Sequence, residues 1–436
     1  MVRTSAHVGQ VSRLAAARAA QLTKRLGWGI ADQGLSSITN FAIGIIIVRL
    51  LGVRAFGAFS LAFTTYTVAL NLSRGLATDP LVIRHSGTEP AAWRRATTEA
   101  VGAALVVGMV AGVVSVSVGT LLGRALEPSV GEAFVALGVT LPGLLVQDAW
   151  RFAFFAAGRA GQAFLNDLVW TLSQLVAFAL IISGGVTGVA PLVLAWGGAA
   201  SVAGVVGVLQ ARVWPRPALV GRWVGRHWEL GSRYVLENLS ISGEYQLRAY
   251  GIGVIADLQA VGSLRAAELL LGPLRVIQFG VEVVALPDAV RIARSSVQRL
   301  IRTCWLIGGG LAGLMMLWGG LMLLLSDRVG VAILGSSWPA TQPLLLPVTI
   351  FAAGVGLTCG ATVGLRALAA ARRSLRARLV SSSVRLLGAL AGAAVAGAGG
   401  AAWGLASGSV IAVAVWWWQF TRELREYAEP HERVSN

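Results

Sequence analysis

Residues 98–122 read TEAVGAALVVGMVAGVVSVSVGTLL, and this stretch decides the class of the fold. Its only charge, Glu99, stands at the start. At 1.5 Å per residue such a run makes a helix of about 37 Å, enough to cross the roughly 30 Å hydrocarbon core of a bilayer. Lipid offers the backbone no hydrogen bonds, so a segment of this kind crosses as a helix that satisfies its own N–H and C=O groups. Working outward, apolar runs of spanning length fall at 27–49, 56–78, 98–122, 133–157, 161–184 and 188–211. A second set falls at 233–256, 260–285, 303–325, 339–365, 379–397 and 399–420. These are spans 1 to 12, and span 7 is the most polar.

Composition agrees with that count. Of the 436 residues 56% are hydrophobic and 13% charged, against about 25% charged in a soluble protein. Twelve spans of about 20 residues consume roughly 240 positions, leaving too few for a sizeable extramembrane domain. A soluble enzyme, a disordered scaffold and a secreted disulfide module are all excluded. The expected fold class is an all-α polytopic membrane protein of about 12 transmembrane helices in two six-helix lobes around a central cavity. Span 1 carries Asp32, Gln33, Ser36 and Asn40 with no small-residue cleavage site after it, which argues against a cleaved signal peptide. Cys304 and Cys359 are in no metal-ligand spacing, and neither a metal nor a cofactor is expected.

The 36 basic residues (Lys24 and otherwise Arg) give a formal net charge of +16. They are spread through short loops rather than gathered on one face, so topology and not nucleic acid is their expected partner. With the N-terminus inside, the inner segments hold 26 of them and the outer loops 4, which places both termini in the cytoplasm. The implied organisation is a basic amphipathic segment at 1–26, an N-lobe at 27–211, a linker at 212–232, a C-lobe at 233–420 and a tail at 421–436. Trp223 and Trp228 interleaved with Arg222 and Arg226 suggest that the linker lies as a helix at the headgroups. Trp416, Trp417 and Trp418 fit an aromatic belt. Pro142, Pro191, Pro273 and Pro347 are expected to interrupt spans 4, 6, 8 and 10.

A weak internal repeat supports two halves. Thr78-Asp79-Pro80-Leu81-Val82 closes span 2, and Leu286-Pro287-Asp288-Ala289-Val290 closes span 8. Asp32-Gln33-Gly34-Leu35-Ser36 has a looser echo in Glu237-Asn238-Leu239-Ser240. Parallel repeats of six spans are a transporter arrangement, with the substrate site expected between them.

Charged groups within a bilayer cost about 2.5–3.5 kcal/mol each on insertion scales, so their positions point to water, to partners or to function. In span 2, Thr64, Thr67, Asn71, Arg74 and Thr78 share an arc of about 80°. In span 8, Arg265, Glu268, Arg275 and Glu282 share about 100°. Span 7 has Glu237, Ser240, Glu244 and Arg248 on one stripe, and span 1 has Asp32, Ser36 and Asn40. Local ion pairs are the competing explanation: Glu244 with Arg248 at i,i+4, Arg265 with Glu268 and Asp148 with Arg151 at i,i+3. The last pair reads as structural. For Asp167, with no local partner, proton or cation coupling and structural pairing both stay open. Symmetric stripes on spans 1, 2, 7 and 8 fit a wet cavity, which Arg74, Arg248, Arg265 and Arg275 would make cationic and suited to a phosphate. Asn71 joins them as a binding candidate. Asp32, Glu244, Glu268, Glu282 and Asp167 are candidates for gating or ion coupling. No GxxxxGK[ST] phosphate loop is present.

Residues 49–63, RLLGVRAFGAFSLAF, and 262–274, GSLRAAELLLGPL, resemble the matching regions of the polysaccharide transporter family. That family includes O-antigen and teichoic-acid flippases, within the multidrug/oligosaccharidyl-lipid/polysaccharide exporter superfamily. The resemblance implies two six-helix lobes around a V-shaped cavity, in a bacterial cytoplasmic membrane. It implies alternating access that turns an undecaprenyl-pyrophosphate-linked glycan to the outer leaflet. The cavity arginines would then hold the pyrophosphate, with Asp32 as a gating or coupling acid. Its partners would be the lipid-linked glycan, the bilayer and polysaccharide-assembly enzymes, and the protein would act as a monomer without a cofactor, proton or sodium coupling staying open. The competing reading is a small-molecule exporter of drugs or cations in the same superfamily. A membrane glycosyltransferase or polymerase fits less well: residues 50–55 hold no acid, and no long outer loop exists. Enzyme activity is not expected.

Overall fold

The computed structural model of the chain describes residues 39, 41–125 and 127–432, and every long element among them is a helix. The basic segment 1–26 and the N-terminal part of span 1, with Asp32, Ser36 and Asn40, lie outside the described residues. A helical stretch from Phe41 to His85 is divided by Gly52, whose φ of 75° no right-handed helix can pass through. It therefore holds the C-terminal part of span 1, a turn, and span 2. Pro90–Ala125, Pro128–Ala156, Ala160–Ser183 and Val189–Ala211 follow as spans 3 to 6.

Val220–Ile255 contains span 7, and Leu258–Leu270 with Gly272–Ser295 makes span 8. Val297–Leu323 is span 9, and Leu345–Ala367 is span 10, preceded by short helical turns from Asp327. The last stretch, Ala371–Glu432, is two helices joined at the non-helical Ala396 and Gly397. Eight stretches are long and apolar enough to cross a membrane. Two of them, at the start and the end, hold two spans each. Spans 7 and 8 miss that threshold because they carry the charges, and adding them recovers twelve.

Three sequence expectations change. Of the four prolines, only Pro142 sits deep inside a helix. Pro273 starts the second half of span 8. Pro191 and Pro347 fall in first turns, where a missing N–H leaves no bond unmade. The linker is not a separate interfacial helix: after a single turn at Pro217–Leu219, the helix from Val220 runs unbroken into span 7. Trp223 faces inward and is fully buried, in a cluster with Trp93, Trp150 and Phe154, while Trp214 and Trp228 are exposed. Trp416 and Trp417 are also buried, Trp417 stacked 3.8 Å from Trp305, so Trp418 alone of that trio is exposed.

The placement of Trp223 follows from a proline. Pro80 has no N–H to give the Leu76 carbonyl one helical turn before it, and the segment Arg74–Thr78 relaxes into a π-helical turn. Trp223 Nε1 donates to that Leu76 carbonyl at 3.1 Å, so a partly buried acceptor keeps a partner.

The chain divides into two compact units, Met1–Asn40 with Thr65–Ile241 and Phe41–Thr64 with Ser242–Asn436. The sequence puts all of spans 1 and 2 in an N-lobe of 27–211. The structure instead groups residues 41–64, the C-terminal part of span 1 and the first part of span 2, with the second unit.

Candidate functional site

In the second unit the charges of spans 7 and 8 meet on one carboxylate. Arg248 Nη1 donates to Glu268 Oε1 at 2.7 Å, with both side chains 6% exposed. Arg265, one turn before Glu268, approaches its other oxygen at 3.6 Å and is 26% exposed. The Tyr245 ring lies 5.2 Å from the Arg248 guanidinium carbon and 5.4 Å from that of Arg265. Phe351 adds a face for Arg248 and Phe63 one for Arg265, each at 5.8 Å. Aromatic faces attract a cation without neutralising it, so they hold the guanidinium planes in place while leaving their charge available.

Two cavities flank Glu268. One is lined by Ser60, Tyr245, Arg248, Leu264 and Arg265. The other is lined by Arg275, Gln278, Met315 and Phe351. Arg275 is exposed. Glu244 is bound by Arg385, whose Nη2 donates to Oε2 at 2.6 Å, and so adds no net charge here. Among the described side chains, three arginines, Arg248, Arg265 and Arg275, then face one acid, Glu268. Counted over those side chains, the cluster carries an excess of about two positive charges at neutral pH.

The first unit holds a second polar cluster with a different balance. Arg74 donates from Nε and Nη2 to the two oxygens of Asp148, at 3.0 and 2.7 Å, beside the Phe152 ring at 5.0 Å. Arg151 faces Asp167 at 3.5 Å, and Gln147 donates to Asp167 at 2.7 Å. Asn166 donates to the Ala203 carbonyl and to Gln210. Here two arginines meet two acids. The forked pair of Arg74 leaves its charge compensated, with 29% of the side chain exposed.

The candidates from the sequence therefore separate. Arg248, Arg265, Glu268 and Arg275 are brought together; Arg74, Asp167 and the half-buried Asn71 lie in the first unit. Glu244 is placed beside them in the second unit, bound to Arg385. Asp32 lies outside the described residues. Glu282 and Glu237 fall on described helices, but their side chains lie outside the description. Of the expected local pairs, Arg265 with Glu268 is formed. Glu244 and Arg248 choose Arg385 and Glu268, and Asp148 and Arg151 choose Arg74 and Asp167. Helical spacing shows which side chains share a face; the partner arrives from another helix. Tyr245, Phe351, Phe63 and Arg385 were missed. Only Arg385 had a signal, as a lone charge inside span 11. Among the described residues no cluster of acid, histidine or cysteine side chains suits a metal ion.

No protein-family description matches the sequence, and no curated protein matches it either. Solved structures do. The lipid II flippase MurJ, in an inward closed conformation, is similar at a TM-score of 0.67 and 10% identity, over 92% of this chain and 90% of that one. An inward-facing multidrug-resistance MATE transporter of the MOP superfamily is similar at 0.61 and 16%, over 89% and 95%. A MOP-superfamily transporter from Pyrococcus furiosus, described as having a binding pocket of reversed polarity, is similar at 0.51 and 14%, over 91% and 94%. At such identities the likeness shows the fold: this chain has the all-helical membrane architecture of those transporters.

Proposed function

We propose that the protein is a flippase that carries a polyprenyl-pyrophosphate-linked oligosaccharide across the cytoplasmic membrane by alternating access. The observation that carries this reading is the charge excess around Glu268. Among the described side chains Arg248, Arg265 and Arg275 exceed the local acid by two, between two cavities and on aromatic supports. A pyrophosphate is an anion whose oxygens suit guanidinium forks, and burial in a low-dielectric site strengthens each contact. The difficult part of such transport is taking a polar headgroup past hydrocarbon, and a wet cationic site lowers that barrier. The shared fold of a lipid II flippase supports the same reading.

Arg265 and Arg275 are the residues to test, since their removal leaves the Arg248–Glu268 pair intact. In cells that display the glycan, Arg265→Ala with Arg275→Ala should lower outward delivery at least tenfold, with unchanged abundance of the protein in the membrane. Lysine at both positions should recover part of it, because a point charge replaces the fork. Unchanged delivery in the alanine variant would overturn the proposal.

The first unit favours a second reading, export of small cations coupled to protons or sodium. Asp167 is a buried acid beside Arg151 at 3.5 Å and Gln147 at 2.7 Å, and an ionisable group placed within a span is a candidate for binding a proton or a cation. Calorimetry on the purified protein separates the two. Tighter binding of an inorganic pyrophosphate probe than of a lipophilic cation supports the flippase, and the reverse order supports the exporter.

A further inference from the structure

Spans 2 and 8 meet at their outer ends through bare backbone. A Cβ on Gly57 would overlap the Leu258 carbonyl and stand 3.3 Å from the Gly262 nitrogen. A Cβ on Gly262 would overlap the Val53 carbonyl and stand 2.9 Å from the Gly57 nitrogen. The contact is reciprocal: Gly57 and Gly262 are 205 positions apart, and so are Val53 and Leu258. That offset agrees with the spacing of the repeated segments in the two halves of the chain. All four residues belong to the second unit.

The surroundings make the crossing a barrier. Phe56, Ala58, Leu258 and Val261 are buried around it, and the Phe56 and Phe59 rings stack 6.2 Å apart. One turn further along span 2, buried Ser60 lines the cavity that also holds Arg248 and Arg265. On the other side, Ser337 donates to the Val48 carbonyl at 2.9 Å, so the loop between spans 9 and 10 covers the turn between spans 1 and 2.

We propose that Gly57 and Gly262 form the outer seal of the transport path, closing the Arg248–Arg265 cavity from outside by direct contact of span 2 with span 8. This rests on the alternating-access reading but not on the identity of the substrate. The chemistry suits a contact made and broken in every cycle. Two glycines let backbones approach closely, which excludes water, and neither carries a side chain that must be withdrawn when the helices part. A single methyl group at either position wedges the crossing open.

The test reads access to Ser60→Cys by a membrane-impermeant maleimide added to intact cells. The two native cysteines are buried and give little background. Labelling at position 60 should be at least tenfold slower than at an outer-loop control, Val186→Cys. Adding Gly57→Ala or Gly262→Ala should bring it near the control, by similar amounts because the contact is reciprocal. Rapid labelling without the wedge, or continued protection with it, overturns the seal. Should the wedged variants fail to reach the membrane, Val53→Cys with Leu258→Cys decides. A short bis-maleimide should join these two in the otherwise unaltered protein, and failure to do so overturns the proposal. Neither readout needs substrate. A seal that passes while the Arg265→Ala, Arg275→Ala variant still delivers glycan would refute only the substrate.

Discussion

At the scale of single residues, the arginines divide by what their removal strands. Glu268 and Arg248 are each 6% exposed and bound to one another, so losing Glu268 leaves the Arg248 guanidinium buried without its carboxylate. Breaking such a pair costs about 3–5 kcal/mol, whereas replacing both partners by apolar residues is often neutral. Glu268→Ala is therefore expected to lower the melting temperature in detergent markedly, and Arg248→Met with Glu268→Leu to recover most of it. A double variant no more stable than the single one would refute the pairing. The same logic separates Arg74 from Arg275. Arg74→Ala strands the 6%-exposed Asp148 carboxylate and should lose stability together with any transport defect. The exposed Arg275 should lose transport alone. The sequence could not draw this distinction: both arginines lay on polar stripes, and only the tertiary partner tells a compensated guanidinium from an available one.

At the scale of elements, the junction between the His85 end of span 2 and the helix of span 7 is fixed by one proline and one tryptophan. Trp223→Phe removes the donor to the Leu76 carbonyl and should cost about 1–3 kcal/mol, the penalty of a buried unsatisfied group. With Pro80→Ala the helix regains an N–H for that carbonyl, so the cost of Trp223→Phe should shrink. Equal costs in both backgrounds would show the two residues to be uncoupled. Beside Trp223 stand His85 and His227, rings 6.1 Å apart, with Arg84, Arg226 and Glu99 around them. Burial lowers both imidazoles from their ordinary 6.5, and Arg84 and Arg226 lower them further. Because the folded state binds these protons less readily than the unfolded chain, stability is full above about pH 6.5 and falls as the pH drops through the folded values. Thermal melts from pH 8 to pH 5 should show this loss, and His227→Gln should reduce it. This junction was illegible in the sequence. Trp223, Arg222 and Arg226 have the composition of an interfacial helix, and only the orphaned Leu76 carbonyl turns Trp223 inward.

At the scale of the whole molecule, twelve spans were legible because each is a local property, a run of apolar residues about as long as the bilayer is thick. The division into units was not. It cuts through spans 1 and 2 at positions 40 and 64, with no composition change to mark it, since the grouping depends on which distant helix each turn packs against. Orientation stands between these cases. It was read from 26 inner against 4 outer basic residues, and a structure without a membrane carries no inside or outside of its own. Two exposed positions test it. Thr88 lies in the turn between His85 and Pro90, and Val186 in the turn between Ser183 and Val189. If arginines hold the even-numbered connections inside, Val186→Cys reacts with an impermeant maleimide in intact cells, while Thr88→Cys reacts only after the membrane is opened. The reverse pattern would invert the molecule. It would also place the Gly57–Gly262 crossing on the cytoplasmic side, making it a barrier to loading and not to release. Labelling of both cysteines in intact cells would mean that an even number of spans separates the two turns in place of the three between Thr88 and Val186, and the twelve-span arrangement itself would fail.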